Sequence, residues 1–269
     1  MIVVSGTKRS GTSMWMQILA AAGLPWIGEE FPRDWEERYR QLNPRGFYES
    51  SLMAGIYYRS NPNPQTGAYL SPEATRAHAV KVFIPGLIRS DVAFIDRCIA
   101  TVRPWREYAA SIQRLNAAFG VKPPAPRLPP ALTWWMENYA LIRDIATRRY
   151  PAHVVSYAAV LDDPQRHISE VLAWIGTGNP KPAMAVVAAQ APPTADAADA
   201  GLSAQMESDA DVDPSHIARF DELYDVIHRG QPLDDGLISA LNTVQDELAP
   251  QIAAAEQNEF ARTLMARMR

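Results

Sequence analysis

The chain opens on Met1-Ile2-Val3-Val4, a short apolar run rich in β-branched residues. Ser5-Gly6-Thr7-Lys8-Arg9-Ser10-Gly11-Thr12-Ser13 follows, and then Met14-Trp15-Met16-Gln17-Ile18-Leu19, with apolar residues at helical spacing. That order reads as buried strand, Gly/Ser/Thr loop, helix. A loop of this kind aims successive backbone N–H groups at one spot, and the helix start adds its own N–H donors and positive dipole end. Together they form a phosphate cradle. A βα turn that binds nothing is the competing reading. The coincidence of strand, two glycines, basic pair and helix weighs against it.

The loop nearly matches the Walker A pattern, G-x-x-x-x-G-K-S/T. Gly6 and Gly11 have its spacing and Ser13 holds the hydroxyl place, but Thr12 stands where the lysine belongs. The positive charge lies upstream, at Lys8 and Arg9. A nucleoside triphosphate needs that lysine on its β/γ-phosphates and a metal on the hydroxyl. This loop suits a donor with one terminal group to contact and little need of a metal.

At 269 residues the chain supports one sizeable domain with a helical extension. Residues 1–150 hold 19 of the 26 Lys and Arg but 12 of the 30 acidic residues, a formal +7 against −11 in the remainder. A basic first half suits a small polyanion, although ordinary surface variation produces the same asymmetry. Without a dense Lys/Arg run, nucleic acid is not an expected partner. The single cysteine, Cys98, excludes an internal disulfide, lies in an apolar run as a small core residue, and goes with a reducing compartment. No leader precedes the first strand and no run of 18 apolar residues occurs, so a cytoplasmic protein without a membrane span is expected.

Along the chain, a helix is expected over residues 10–22, ended by Gly23 and Pro25. Residues 25–46 read as irregular, with an acidic pair, Glu29-Glu30, and a turn at Asn43-Pro44-Arg45-Gly46. Gly46-Phe47-Tyr48-Glu49 is a short extended piece, followed by a helix somewhere in 50–59 and another opening at Ser71-Pro72-Glu73. Strands are expected at 79–84, stopped by Pro85-Gly86, at 97–102 and at 153–157. Helices are expected from Arg103 to about Ala117, over 131–150 and over 164–174, the last ended by Gly176. Strands alternating with helices imply a parallel sheet with right-handed crossovers. The fold class is therefore α/β, a P-loop-like three-layer fold with a helical C-terminal extension. Residues 1–176 form its core, 191–215 a mobile loop and 215–269 a pair or trio of helices. A Pro-rich stretch at 120–130 is a linker or flap.

Arg103 closes its strand at the edge where open α/β sheets bind ligands. Ser111 follows eight residues later, roughly 9–10 Å along the next helix. Arg offers a planar fork to phosphate oxygens and Ser adds a hydroxyl donor, so the pair suits a second phosphate. Read alone, Arg103 serves equally as a capping or salt-bridge residue.

Together, Lys8-Arg9-Ser10-Gly11-Thr12-Ser13 and the Arg103/Ser111 pair resemble the sulfotransferase family that uses 3′-phosphoadenosine 5′-phosphosulfate (PAPS). The resemblance spans residues 1–176 and implies a single sulfotransferase-like domain. It implies that Lys8, Arg9, Ser10, Gly11, Thr12 and Ser13 hold the 5′-phosphosulfate, and that Arg103 and Ser111 hold the 3′-phosphate. Pro104 and Trp105 depart from the family's usual residues there, without touching the clamp. Val155-Ser156-Tyr157 with Leu161 and Asp163-Pro164 resembles a third family segment, with Ala158 and Ala159 replacing an acidic pair. That places Tyr157 near the adenine, or else as a strand-end core tyrosine.

By the same resemblance, PAPS is the co-substrate and adenosine 3′,5′-bisphosphate the product, with no metal expected. The acceptor is a small-molecule hydroxyl or amine. Arg9 stabilises the leaving phosphate. The cytosolic branch takes its base from a Lys-Thr-His-Leu-Pro segment; Lys81-Val82-Phe83-Ile84-Pro85 corresponds to it, with Phe83 in place of the histidine. Lys81 then touches the transferring sulfonate, unless it is a surface lysine at a strand edge. Other branches use a glutamate after the first helix. Glu49 is the first choice as base, with Glu29 and Glu30 as alternatives and His78 as a further candidate that reads better as structural. Trp26, Trp35, Tyr57, Tyr58, Trp134 and Trp135 line an acceptor pocket or belong to the core, and 120–130 and 191–215 are candidate lids. A kinase with a degenerate P-loop and a non-catalytic nucleotide-binding protein are the alternative functions.

Overall fold

The computed structural model describes residues 1–31, 43–57, 62, 67–118, 128–188 and 213–267. They divide into two compact units. One comprises Met1–Arg103 with Ala140–Pro192, the other Pro104–Tyr139 with Pro193–Arg269.

The first unit is built on five parallel strands: β1 (Ile2–Ser5), β2 (Trp26–Ile27), β3 (Ala79–Lys81), β4 (Arg97–Val102) and β5 (Ala152–Ser156), in the order β2-β3-β1-β4-β5. β1 is central, and every residue in it is buried. A parallel sheet covered on both faces favours continuous apolar strands over alternating ones, which is why Met1–Val4 carries no polar residue. Ile2 and Val4 pack with α1 (Thr12–Ala21) on one face. Val3 packs on the other face, with Val80, Cys98 and Leu141.

The helices follow in chain order. They are α2 (Pro72–Thr75), α3 (Ile84–Leu87), α4 (Trp105–Ala118), α5 (Pro130–Arg148), α6 (Tyr157–Asp162), α7 (Pro164–Ile175), α8 (Pro180–Ala188), α9 (Pro214–His228) and α10 (Asp235–Arg267). α7 and α8 join α1 on its face, and the later half of α5 covers the opposite one, giving three layers. The chain thus leaves β1 across one face and reaches β5 from the other. This puts a topological switch point between the carboxyl ends of β1 and β4, the place where open α/β sheets hold ligands. Trp15, Ile18 and Leu19 anchor α1 in full burial, each contributing about 2 kcal/mol by removal of apolar surface from water.

Several elements follow the sequence closely. α1 ends at Gly23, whose φ of 93° only glycine adopts without strain. α7 starts on Asp163, which accepts from the Arg166 N–H at 3.0 Å, and stops at Gly176. Others differ. The strand expected over 79–84 ends at Lys81, because Pro85 opens the short α3 instead of merely ending a strand. The helix sought in 50–59 is one 3-10 turn, Ser51–Ala54, closed by Gly55 at φ 132°. Tyr157 begins α6 and does not close β5.

The second unit is helical among the described residues: α4, the first half of α5, α9 and α10. Its centre is aromatic. The Phe220 ring stacks on Trp135 at 4.7 Å and meets Trp105 edge-on at 6.2 Å. Two of its buried indoles donate to side chains of the same unit, Trp105 to Asp221 at 2.8 Å and Trp135 to Gln245 at 3.0 Å.

Candidate functional site

The loop after β1 is a tight cradle with little freedom. A Cβ on Gly6 would stand 2.4 Å from both Ser10 Oγ and the Thr101 carbonyl oxygen, so only glycine fits. Arg9 takes a left-handed φ of 70°, and Gly11, the residue before α1, a φ of 100°. Ser10 donates its hydroxyl and its N–H to the Thr7 carbonyl, at 2.7 and 3.1 Å. Thr101 on β4 ties the loop from outside by donating to the Ser10 carbonyl at 2.9 Å. Ser10 and Thr12 are buried, Arg9 and Ser13 half-buried, and Lys8 exposed. Ser10 therefore braces the loop from within. With glycine at its cap, α1 has no capping side chain, and its first N–H groups open toward the loop.

Lys81 is not a surface lysine. It ends an interior strand beside Val4 and its side chain is 2% exposed. Its ammonium spends three donors on three acceptors: the Phe47 carbonyl at 2.6 Å, Glu49 Oε1 at 3.0 Å and Ser13 Oγ at 3.3 Å. Burial lowers its pKa. Glu49 opposes that shift, and the nearby charges of Arg9 and Lys8 add to it.

The three candidate carboxylates gather at one place. Glu29 and Glu49 form an antiparallel bridge, exchanging N–H···O bonds of 2.9 and 3.1 Å, and the Glu30 carbonyl accepts from the Phe47 N–H at 2.7 Å. The turn before them is pinned to α1, since Gln17 donates to the Gly46 carbonyl at 3.0 Å and to Asn43 Oδ1 at 3.1 Å. Gly46 is obligatory there: its φ is 95°, and a Cβ would lie 2.3 Å from Glu30 Cγ. Glu49 is the carboxylate that meets Lys81. Burial, then the Glu30 charge, raises the pKa of the intervening Tyr48.

Arg103 lies across the crevice, donating to the Arg9 carbonyl at 3.2 Å with its guanidinium carbon 4.7 Å from the Tyr157 ring centre. Phe83 carries Lys8 and Lys81 near its ring, at 5.7 and 5.6 Å. The structure thus brings together Lys8, Arg9, Ser10, Gly11, Thr12, Ser13, Glu49, Lys81, Arg103 and Tyr157 at the carboxyl edge of the sheet. Ser111 is buried on α4 in the other unit.

His78 precedes β3 at the opposite sheet edge, with its carbonyl accepting from the Ile2 N–H at 2.9 Å, so it belongs to the framework. Trp134 and Trp135 are core of the helical unit, whereas Trp26 and Tyr57 are exposed. Trp35, Tyr58, and most of both candidate lids (residues 119–127 and 189–212) lie outside the described residues. Sequence reading overlooked Thr101, Gln17 and the Phe47 carbonyl. Of these only Gln17, a polar residue in an apolar helix, leaves a mark in the sequence.

Lys8, Arg9, Lys81 and Arg103 stand at this edge with the paired Glu49, and the Glu29–Glu49 bridge holds two further acidic residues, Glu29 and Glu30, nearby. Among the described residues no group of three or more His, Cys, Asp and Glu is placed to hold a metal, and no helix is long and apolar enough to cross a membrane. The chain matches no protein-family model, and no curated protein matches it significantly.

Proposed function

We propose that the chain is a PAPS-dependent sulfotransferase that moves a sulfuryl group to a hydroxyl or amine of a small-molecule acceptor and releases adenosine 3′,5′-bisphosphate. The observation that carries this reading is the Lys81 ammonium, 3.3 Å from the Ser13 hydroxyl. In a Walker loop that hydroxyl holds a divalent metal. Here a buried cation already sits beside it, and a second cation there is repelled. A sulfuryl group carries one negative charge where a phosphoryl group carries two, so a lysine suffices. The absence of lysine at position 12 points the same way.

In this reading the loop N–H groups, Lys8 and Arg9 hold the 5′-phosphosulfate, and Arg103 takes the 3′-phosphate. The acceptor oxygen or nitrogen attacks sulfur in line, and a new bond to sulfur forms as the bond from sulfur to the bridging oxygen breaks. The electron pair stays on the leaving phosphate, where Arg9 and the loop N–H groups meet the growing charge. Glu49 receives the acceptor proton, and Lys81 holds that carboxylate in place. A reducing, cytoplasmic setting and a small acceptor accompany this reading, and nucleic acid has no part in it.

The test is sulfonate transfer from sulfur-labelled PAPS to mixed hydroxyl and amine acceptors, with divalent metals chelated. Label should move, and Glu49→Gln should stop it. Transfer that occurs only from ATP, and only with magnesium, contradicts the proposal.

A further inference from the structure

The register between β4 and β5 pairs Val102 with Ser156. Arg103 and Tyr157 are therefore the next residues out of two adjacent parallel strands, and they leave the sheet side by side. Ser156 accepts from the Ala159 N–H at 3.1 Å and fixes Tyr157 as the first residue of α6. The guanidinium carbon of Arg103 stands 4.7 Å from the Tyr157 ring centre, within the range of a cation–π contact. The ring edge leans over the anion loop: a Cβ on Gly11 would lie 2.5 Å from Tyr157 Cδ2. Arg103 itself reaches the loop through the Arg9 carbonyl at 3.2 Å.

We infer that Tyr157 is a positioning residue for Arg103, its ring face holding the guanidinium at the crevice so that a second phosphate of the nucleotide is recognised there. One face of the ring serves the arginine and one edge serves Gly11, so its part in recognition runs through the phosphate and not the base. The inference rests on the sulfonucleotide reading above. It adds that selection for the 3′-phosphate depends on an aromatic ring which touches no phosphate.

The experiment measures dissociation constants for adenosine 3′,5′-bisphosphate and 5′-AMP by calorimetry, each variant first checked for folding by circular dichroism. The wild type should prefer the bisphosphate, and Arg103→Ala should remove that preference. Tyr157→Leu should reduce the preference about tenfold. Tyr157→Phe should keep it. Replacing Tyr157 by pentafluorophenylalanine preserves shape but reverses the ring quadrupole, and should lower the preference even if the leucine variant fails to fold. Equal weakening of both nucleotides by Tyr157→Leu, or an unchanged preference in the fluorinated protein, overturns the positioning role. A wild type without any preference overturns the sulfonucleotide reading and the inference with it.

Discussion

Lys81 and Glu49 form an ion pair, which the proposed function places at the proton transfer. A buried ammonium tolerates its site only while its donors are met, so the carboxylate matters to stability whatever its part in catalysis. Glu49→Ala should cost about 3 kcal/mol in chemical denaturation, because Lys81 is left buried beside neutral acceptors. Glu49→Gln keeps a hydrogen-bond acceptor and removes the proposed base. It should fold nearly as well as the wild type while turnover falls by about a hundredfold or more. Unchanged turnover in a folded Glu49→Gln protein would remove Glu49 from the proton transfer. In the sequence alone the two residues stand 32 positions apart, and nothing local links them. What joins them is the bridge between Glu29 and Glu49, which ties the 46–49 segment to the chain that leaves β2. That contact is tertiary, and no period or motif reports it.

At the scale of elements the opening strand, loop and helix were legible because every cue agreed: β-branched run, two glycines at fixed spacing, then an apolar helical stripe. Gly6→Ala should abolish anion binding, since its Cβ has nowhere to go between Ser10 and Thr101. Binding retained in that variant, read by calorimetry, would show the cradle to be irrelevant. β2 was illegible because two residues at a sheet edge are too few for a pattern. α8 was illegible because Pro180 and Pro182 resemble loop punctuation, although proline is tolerated in a first helical turn. β5 supplies a separate test. His153 is half-buried against Trp174 with its pKa lowered, mainly by desolvation. Between that lowered value and the ordinary histidine range the unfolded chain binds more protons than the folded one. Stability conferred by neutral His153 is therefore present above the ordinary range and lost as pH falls. His153→Gln should flatten the fall in denaturation midpoint between about pH 7 and about pH 5.

Across the whole molecule, a chain of net charge −4 places Lys8, Arg9, Lys81 and Arg103 at one crevice of the sheet-bearing unit. Attraction of that crevice for a polyanion should weaken as salt rises, whatever the acceptor proves to be. The uneven charge along the chain was visible in the sequence, and four cations of the basic first half stand at that crevice. The division into a sheet unit and a helical unit was not visible, because one long helix, α5, contributes its two halves to different units. The proposed binding of a sulfonucleotide at the Walker-like loop is open to direct test. Its most direct measurement is calorimetric titration with adenosine 3′,5′-bisphosphate, 5′-AMP and ATP in the presence of a metal chelator. The bisphosphate should bind well ahead of AMP and ATP with no metal present. Binding of ATP alone, and only when magnesium is restored, would contradict the account.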